Sequence, residues 1–498
     1  MKFKNSLIVL LLFVLCVGCA SAISAADADL DNDALSEQIA DVDSADDNGE
    51  VLSLNQDETV VEQTENDKLA DDAPAQDPQL SPAEKFAKDI NDNAGTIYLT
   101  DNIKITEPFV IKNKAVIDGQ GHTIDAQHKT YIFKARAPLT LKNIILKNGK
   151  SDKGGAIASN GDLTLVNCQF INNAATASGG AIFVKGNINI QNCKFSGNTA
   201  VESAGAVAVT YGHLTCTGSV FEKNSVKSSK SSGYGGAIWI HKSSSKITKT
   251  SFKSNQCISK SLKNHKKATK YKFNGGAISY SVGSTHSLSG CKFTSNKASN
   301  HGGSIFAYQS NSIKIDKCEF SKNRAVYEDG GAISFTAKKL TITNSNFHNN
   351  LAYEDGGALD SYSITGKKIY ITVKNTKFTS NTAYKCGGAI WMGVKTVYKV
   401  TGSKFIKNKA SSAGAIECED GSTKIVKCTF KSNKAAKVTS WTVKTKSGAR
   451  LSHSGGAILV KNKCTVQKST FKGNKAKYGK SVKVEGGKLK SKGNKGIK

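Results

Sequence analysis

Aromatic and acidic side chains recur at fixed distances behind a repeated small-residue tetrad in this chain. The tetrad reads Gly-Gly-Ala-Ile or a near variant. Its second residue falls at 155, 180, 205, 236, 276, 303, 331, 357, 388, 414 and 456. Three and five residues further on stand Phe183, Trp239, His241, Phe306, Tyr308, Asp360, Tyr362, Trp391, Glu417 and Glu419. Aromatic rings stack on the apolar faces of sugars, and carboxylates bond sugar hydroxyls, so these residues form the candidate ligand-binding set. If the chain were an enzyme, Asp360 and Glu417 would be its acid and base. They lie two repeats apart, which puts them about 9–10 Å from each other on stacked strands, at or beyond the upper limit for an inverting carboxylate pair.

A second acidic feature is the segment Tyr-Glu-Asp-Gly-Gly-Ala, written at 327–332 and again at 353–358. Stacking places Asp329 over Asp355 and Glu328 over Glu354. Like charges one repeat apart repel, which raises a pKa or recruits a cation such as Ca²⁺. The plainer reading is a solvated turn neutralised by surrounding lysines, and on that reading no metal or cofactor is expected. Ten of the twelve cysteines lie beyond the first 25 residues, with no Cys-x-x-Cys or paired-His spacing to suggest zinc. Five of them (Cys168, Cys193, Cys291, Cys318 and Cys428) occupy one repeat position that is otherwise Ser or Thr. That position calls for a small side chain, so the thiols read as small apolar fillers. Cys168 with Cys193 and Cys291 with Cys318 are alternatively placed to pair between neighbouring repeats.

The elements that must hold these groups follow from the repeat. Successive tetrads are separated by 25, 25, 31, 40, 27, 28, 26, 31, 26 and 42 residues. A floor near 25 with additions describes one structural rung plus variable loops, the sign of a solenoid. Within a rung apolar residues alternate, as in Ile182/Val184, Ile333/Phe335 and Ile458/Val460, which predicts short strands with one buried face. Each rung then reaches Phe-x-x-Asn. Phe195, Phe320, Phe347 and Phe378 are expected to stack as an internal aromatic ladder. Asn198, Asn323, Asn350 and Asn381 are expected to adopt left-handed turns and bond from rung to rung. Rungs of this length are too short for helical crossovers, and none of the five prolines follows Pro138, as parallel ladders require. The expected fold is all-β: a single-stranded parallel β-helix. The capping box Ser81-Pro-Ala-Glu84 predicts a short N-terminal helix at 82–92 that covers its first rung.

Charge divides the chain. The total is +29, but residues 27–80 carry −17, leaving about +44 beyond them. The expected organisation is a signal peptide at 1–25, an acidic disordered spacer at 26–80, the cap and opening rungs at 81–150, the repeat β-helix at 151–480 and a basic tail at 481–498. Beyond an uncleaved signal no transmembrane anchor is expected. Lys/Ser-rich insertions at 226–233, 256–273 and 436–453 read as loops. The basic body repels itself and attracts polyanions. Nucleic acid fits the charge, but the scattered lysines and the secretion signal argue against it.

The tetrad and Phe-x-x-Asn pair resembles the repeats of chlamydial polymorphic outer-membrane proteins and, more closely, adhesin-like surface proteins of methanogenic archaea. Val-Ile-Asp-Gly-Gln-Gly-His-Thr-Ile-Asp at 116–125 resembles the opening rungs of pectate-lyase-like folds. The resemblance covers about residues 96–480. It implies a right-handed, pectin-lyase-like solenoid that is secreted or held at the cell surface. The implied role is non-catalytic adhesion, with a glycan, an anionic wall polymer or another cell surface as partner. The alternatives are a polysaccharide lyase or glycoside hydrolase, or a passive wall spacer. The aspartate pair and Gly-His-Gly of pectin hydrolases are absent from the rungs, and His122 reads as structural.

Overall fold

The computed structural model describes residues 80–92, 95–229, 231–259, 272–436 and 454–497. The signal at 1–25, all but the last residue of the spacer at 26–80, and most of the insertions at 256–273 and 436–453 lie outside them. Among the described residues one helix, α1 (Pro82–Asp92), precedes a parallel β-helix. Ser81 and Glu84 close the capping box that starts α1, with Ser81 N–H donating to Glu84 Oε2 at 2.8 Å. Its apolar side buries Phe86 and Ile90, and Phe86 meets Phe109 edge-on at 5.1 Å. No helix among the described residues is long and apolar enough to cross a membrane.

The rungs build four long parallel sheets, the fourth of them without strands from the opening and last rungs. Sheet 1, of 14 strands, follows the glycine corner and runs from Phe109–Ile111 to Val482–Val484. Sheet 2 has 15 strands, from Thr96–Tyr98 to Lys488–Lys492, and sheet 3 has 14, from Ile103–Lys104 to Thr470–Lys472. Sheet 4, of 11 short strands, runs from Lys150–Lys153 to Lys434–Ala435. Register holds from rung to rung, so Phe320 pairs with Phe293 on one side and Phe347 on the other. The phenylalanines from Phe170 to Phe471 stack with ring centroids 4.5 Å (Phe320–Phe347) to 5.0 Å (Phe347–Phe378) apart.

The buried asparagines form a second ladder between sheets 3 and 4. Asn323 Nδ2 donates to Asn350 Oδ1 at 2.9 Å and to Phe293 O at 2.9 Å, and its backbone N–H donates to the same Asn350 oxygen at 3.0 Å. The pattern repeats from Asn173 to Asn433. The left-handed backbone expected of these asparagines belongs instead to the residue before each, such as Lys322 (φ 55), Asn349 (φ 57) and Ser380 (φ 54). That turn aims the asparagine side chain inward, where its amide replaces the strand hydrogen bonds lost at the corner.

The described cysteines are free thiols, as the small-filler reading expects, and the alternative cross-rung pairs are not formed. They are also more than apolar filler. Cys193 Sγ accepts the Cys168 N–H at 3.3 Å and donates to Gln191 O at 3.2 Å, as Ser219 Oγ does for Cys193 and Thr217. The position takes a small side chain that also hydrogen-bonds, which is why Cys, Ser and Thr share it. Two boundaries also change. Strands Val482–Val484 and Lys488–Lys492 extend the helix into the segment expected as a tail. The 226–233 insertion is partly strand, with Gly233–Tyr234 pairing with Phe273–Asn274.

The paired glycines have distinct jobs. Gly330 sits at φ 68, a conformation that disfavours side chains, whereas a Cβ on Gly331 would lie 2.2 Å from Gly357 O in the next rung. Asn323→Ala removes the donors and acceptor that join three rungs and should destabilise the helix by about 2–4 kcal/mol. A lower urea midpoint than the native chain checks this, and an unchanged midpoint contradicts it.

Candidate functional site

The outward positions of sheet 1 form a column in register, Phe306–Ser334–Asp360–Trp391–Glu417–Leu459. Alternation within each strand turns these side chains away from the core. A second column, two residues before the second corner glycine, runs alongside and contains His301, Asp329, Asp355 and Cys386. The columns meet where the chain is richest in ionisable groups. Ligand atoms of His301, Asp329 and Asp360 all lie within 4.8 Å of one another.

Outward does not mean exposed. Asp360 and Glu417, expected on an open strand face, are both 0 % exposed, and Phe306 is buried as well. Ser334 Oγ donates to Asp360 Oδ2 at 2.9 Å, while Asp360 Oδ1 has no partner. Glu417 Oε1 is 2.6 Å from Lys461 Nζ. The pairing Asp360–Trp391–Glu417 inserts an indole-bearing strand between the two carboxylates.

The aromatics are partly exposed and contact one another. Trp239 stacks on His241 at 5.1 Å, and its Nε1 donates to Ser281 Oγ at 3.2 Å. Tyr308 lies 6.4 Å from Phe306, and Tyr362 meets Trp391 edge-on at 6.5 Å. Phe183, further along the face, lies under Lys153 Nζ at 5.7 Å, and Glu419 is exposed. Sequence reasoning missed Tyr211, an exposed ring with Lys185 and Lys242 over it at 5.8 and 5.4 Å.

The stacked acidic turns are tied into ion pairs rather than left in solvent. Glu328 Oε2 is 2.6 Å from His301 Nε2, and Oε1 is 2.6 Å from Lys272 Nζ. Glu354 pairs with Lys385 at 2.6 Å. Asp329 Oδ1 accepts the Asp355 N–H at 2.9 Å, and Asp355 Oδ1 accepts the Cys386 N–H at 2.9 Å. Burial opposes charge on Glu328, but His301 and Lys272 outweigh it and hold that carboxyl well below the ordinary range. Burial pushes Asp329 up to about 6, with His301 opposing and Glu354 and Glu328 adding to the rise. Burial and then the neighbouring Asp329 push both Asp355 and Asp360 well above 3.8. His301 was also missed in the sequence. Its signal was alignment, since it holds the same pre-glycine position as Asp329 and Asp355.

A family model described as "Right handed beta helix region" matches residues 276–463. A second, described as "Chlamydia polymorphic membrane protein (Chlamydia_PMP) repeat", matches residues 167–185. The chain folds as a right-handed β-helix, and its stretch 167–185 is similar to a polymorphic-membrane-protein repeat. No curated protein and no solved structure gives a significant match. The acidic cluster of this β-helix lies within the span of the first match.

Charge on Asp360 is what its surroundings disfavour, so the sign of its pH dependence is fixed. A carboxyl whose folded pKa is raised contributes no penalty below its unfolded pKa. It lowers stability as pH climbs from there through the folded value. In buffer containing a chelator, Asp360→Asn should therefore melt above the native chain at about pH 8 and level with it at about pH 3.5. Thermal scans at the two pH values check this, and a native chain more stable than the variant at the higher pH contradicts it.

Proposed function

We propose that this β-helix is a surface-exposed, non-catalytic binding protein whose ligand is an anionic glycan lying along sheet 1. The supporting observation is the aromatic stripe. Trp239, His241, Tyr308, Tyr362 and Trp391 are partly exposed on one outer face, spread over five rung spacings, or about 24 Å. Rings at such intervals offer successive stacking platforms to a chain of sugars.

Lysines beside the rings of sheet 1 support the anionic character of the ligand: Lys153 lies over Phe183, and Lys185 and Lys242 lie over Tyr211. On the other three sheets lysines stack directly, Lys377 on Lys404 and Lys431 on Lys472 in sheet 3, Lys399 on Lys424 in sheet 2 and Lys409 on Lys434 in sheet 4. Like charges one strand spacing apart repel, which makes the whole helix attractive to polyanions. The absence of a catalytic step is supported by the state of the two carboxylates proposed for it. Glu417 is buried against Lys461, and a tryptophan strand separates it from Asp360.

Binding to a panel of immobilised uronate-containing and neutral polysaccharides tests the reading. The native chain should bind acidic members in a salt-sensitive way. Trp239→Ala with Trp391→Ala should weaken that binding by roughly 10-fold or more, about 1.4 kcal/mol per tenfold. Unchanged binding by the double variant removes the stripe as the site. New reducing ends or unsaturated products from the same polysaccharides, lost in Asp360→Asn, would replace the binding reading with a lyase or hydrolase.

A further inference from the structure

We infer that His301, Asp329 and Asp360 bind one divalent transition cation of the zinc class on the outer face of sheet 1. The three residues come from three successive rungs and two different columns, yet their ligand atoms converge within 4.8 Å. His301 Nδ1 is 3.6 Å from Asp329 Oδ2. Ligands on a tetrahedral ion with bonds near 2.0–2.1 Å stand about 3.3 Å apart, so the His301–Asp329 pair is almost at that spacing and side-chain rotation has to draw Asp360 in to close the shell.

The hydrogen bonds around the cluster leave atoms of the right kind unused. Asp360 is fully buried and has Oδ2 held by Ser334, with Oδ1 unpartnered. Asp329 has Oδ1 held by the Asp355 N–H, leaving Oδ2 toward the histidine. His301 Nε2 faces Glu328, and Nδ1 makes no hydrogen bond. With Nε2 set 2.6 Å from Glu328 Oε2, a neutral ring that keeps its proton on that side has its lone pair on Nδ1. A metal-bound histidine typically gives its other ring nitrogen to a carboxylate in this way. Lys272 fixes Glu328 in turn.

An imidazole nitrogen beside two carboxylate oxygens suits zinc and its first-row neighbours, whereas Ca²⁺ takes oxygen ligands. The calcium expectation at Asp329, Asp355, Glu328 and Glu354 also loses ligands in this structure. Glu328 and Glu354 are engaged by His301, Lys272 and Lys385. Three protein ligands leave a fourth position. The His301 and Asp329 side chains, 13 % and 17 % exposed, give it a route to solvent. The ion site needs no glycan, so it stands or falls apart from the binding stripe.

The test uses the full chain, stripped with a chelator, dialysed and titrated with ZnCl₂ in a calorimeter. X-ray absorption is then read on the loaded sample. The expected result is one ion per chain in a shell of nitrogen and oxygen, with no saturable heat from CaCl₂. Asp360→Asn and His301→Gln should each abolish binding while keeping the native circular dichroism. Glu328→Gln should weaken it by roughly 10–100-fold, and Glu354→Gln should leave it unchanged. Absence of stoichiometric binding by the native chain overturns the inference. So does sulfur in the shell, which would place the ion on a thiol, or binding retained by both ligand variants. The absorption result on the native chain decides the matter even if a variant fails to fold.

Discussion

From Asn173 onward each rung of this β-helix passes one asparagine amide to the next, and that bond sets where everything else can lie. The Asn oxygen accepts two N–H groups from the rung before it, and the Asn nitrogen reaches back to a phenylalanine carbonyl. The amide is fully buried, so an unmet donor or acceptor there costs far more than the same group in water. A rung that slips by one residue breaks its own bonds and those of both neighbours. The phenylalanine stack beside the amides has the same period and the same penalty for slippage. Register is thus specified by polar satisfaction and apolar packing together.

Fixed register has an external consequence. Equivalent positions become columns, and a column is as good or bad electrostatically as its neighbours make it. Lysine over lysine is tolerated at the solvent surface, where screening is strong. Aspartate over aspartate at a buried corner is not, and the chain answers with Lys272, Lys385 and Lys461. Those cations neutralise glutamates. The aspartates inside them keep only backbone and hydroxyl donors. The asparagine ladder is therefore satisfied rung by rung, while the cluster of His301, Asp329 and Asp360 retains unused ligand atoms.

The inward columns were legible in the sequence because the same side chain recurs at every rung. Phe, Asn, the corner glycines and the alternation around Ile333 and Phe335 each point to the same coil, and α1 was announced by Ser81 and Glu84. The outward columns were legible only in direction. Period two states that Asp360 and Glu417 leave the core, but it does not say what lies beside them. Neighbouring rings and corner residues remove them from water. His301 escaped notice because its partners are 28 and 59 residues away, and only Asp329 shares its pre-glycine position. The left-handed turn was assigned one residue late, since a buried amide and a turn former leave the same mark in a sequence. The last two strands, Val482–Val484 and Lys488–Lys492, escaped because neither the full Gly-Gly-Ala-Ile tetrad nor Phe-x-x-Asn marks their rung.

Hydrogen exchange of the asparagine side-chain amides, followed by NMR, tests this account most directly. If the amides are the bonds that register depends on, the Nδ2 protons from Asn198 to Asn433 exchange as slowly as the backbone amides of sheet 3. Exchange of those protons at the rate of a solvated asparagine, with the backbone still protected, would show that the rungs keep their phase without them.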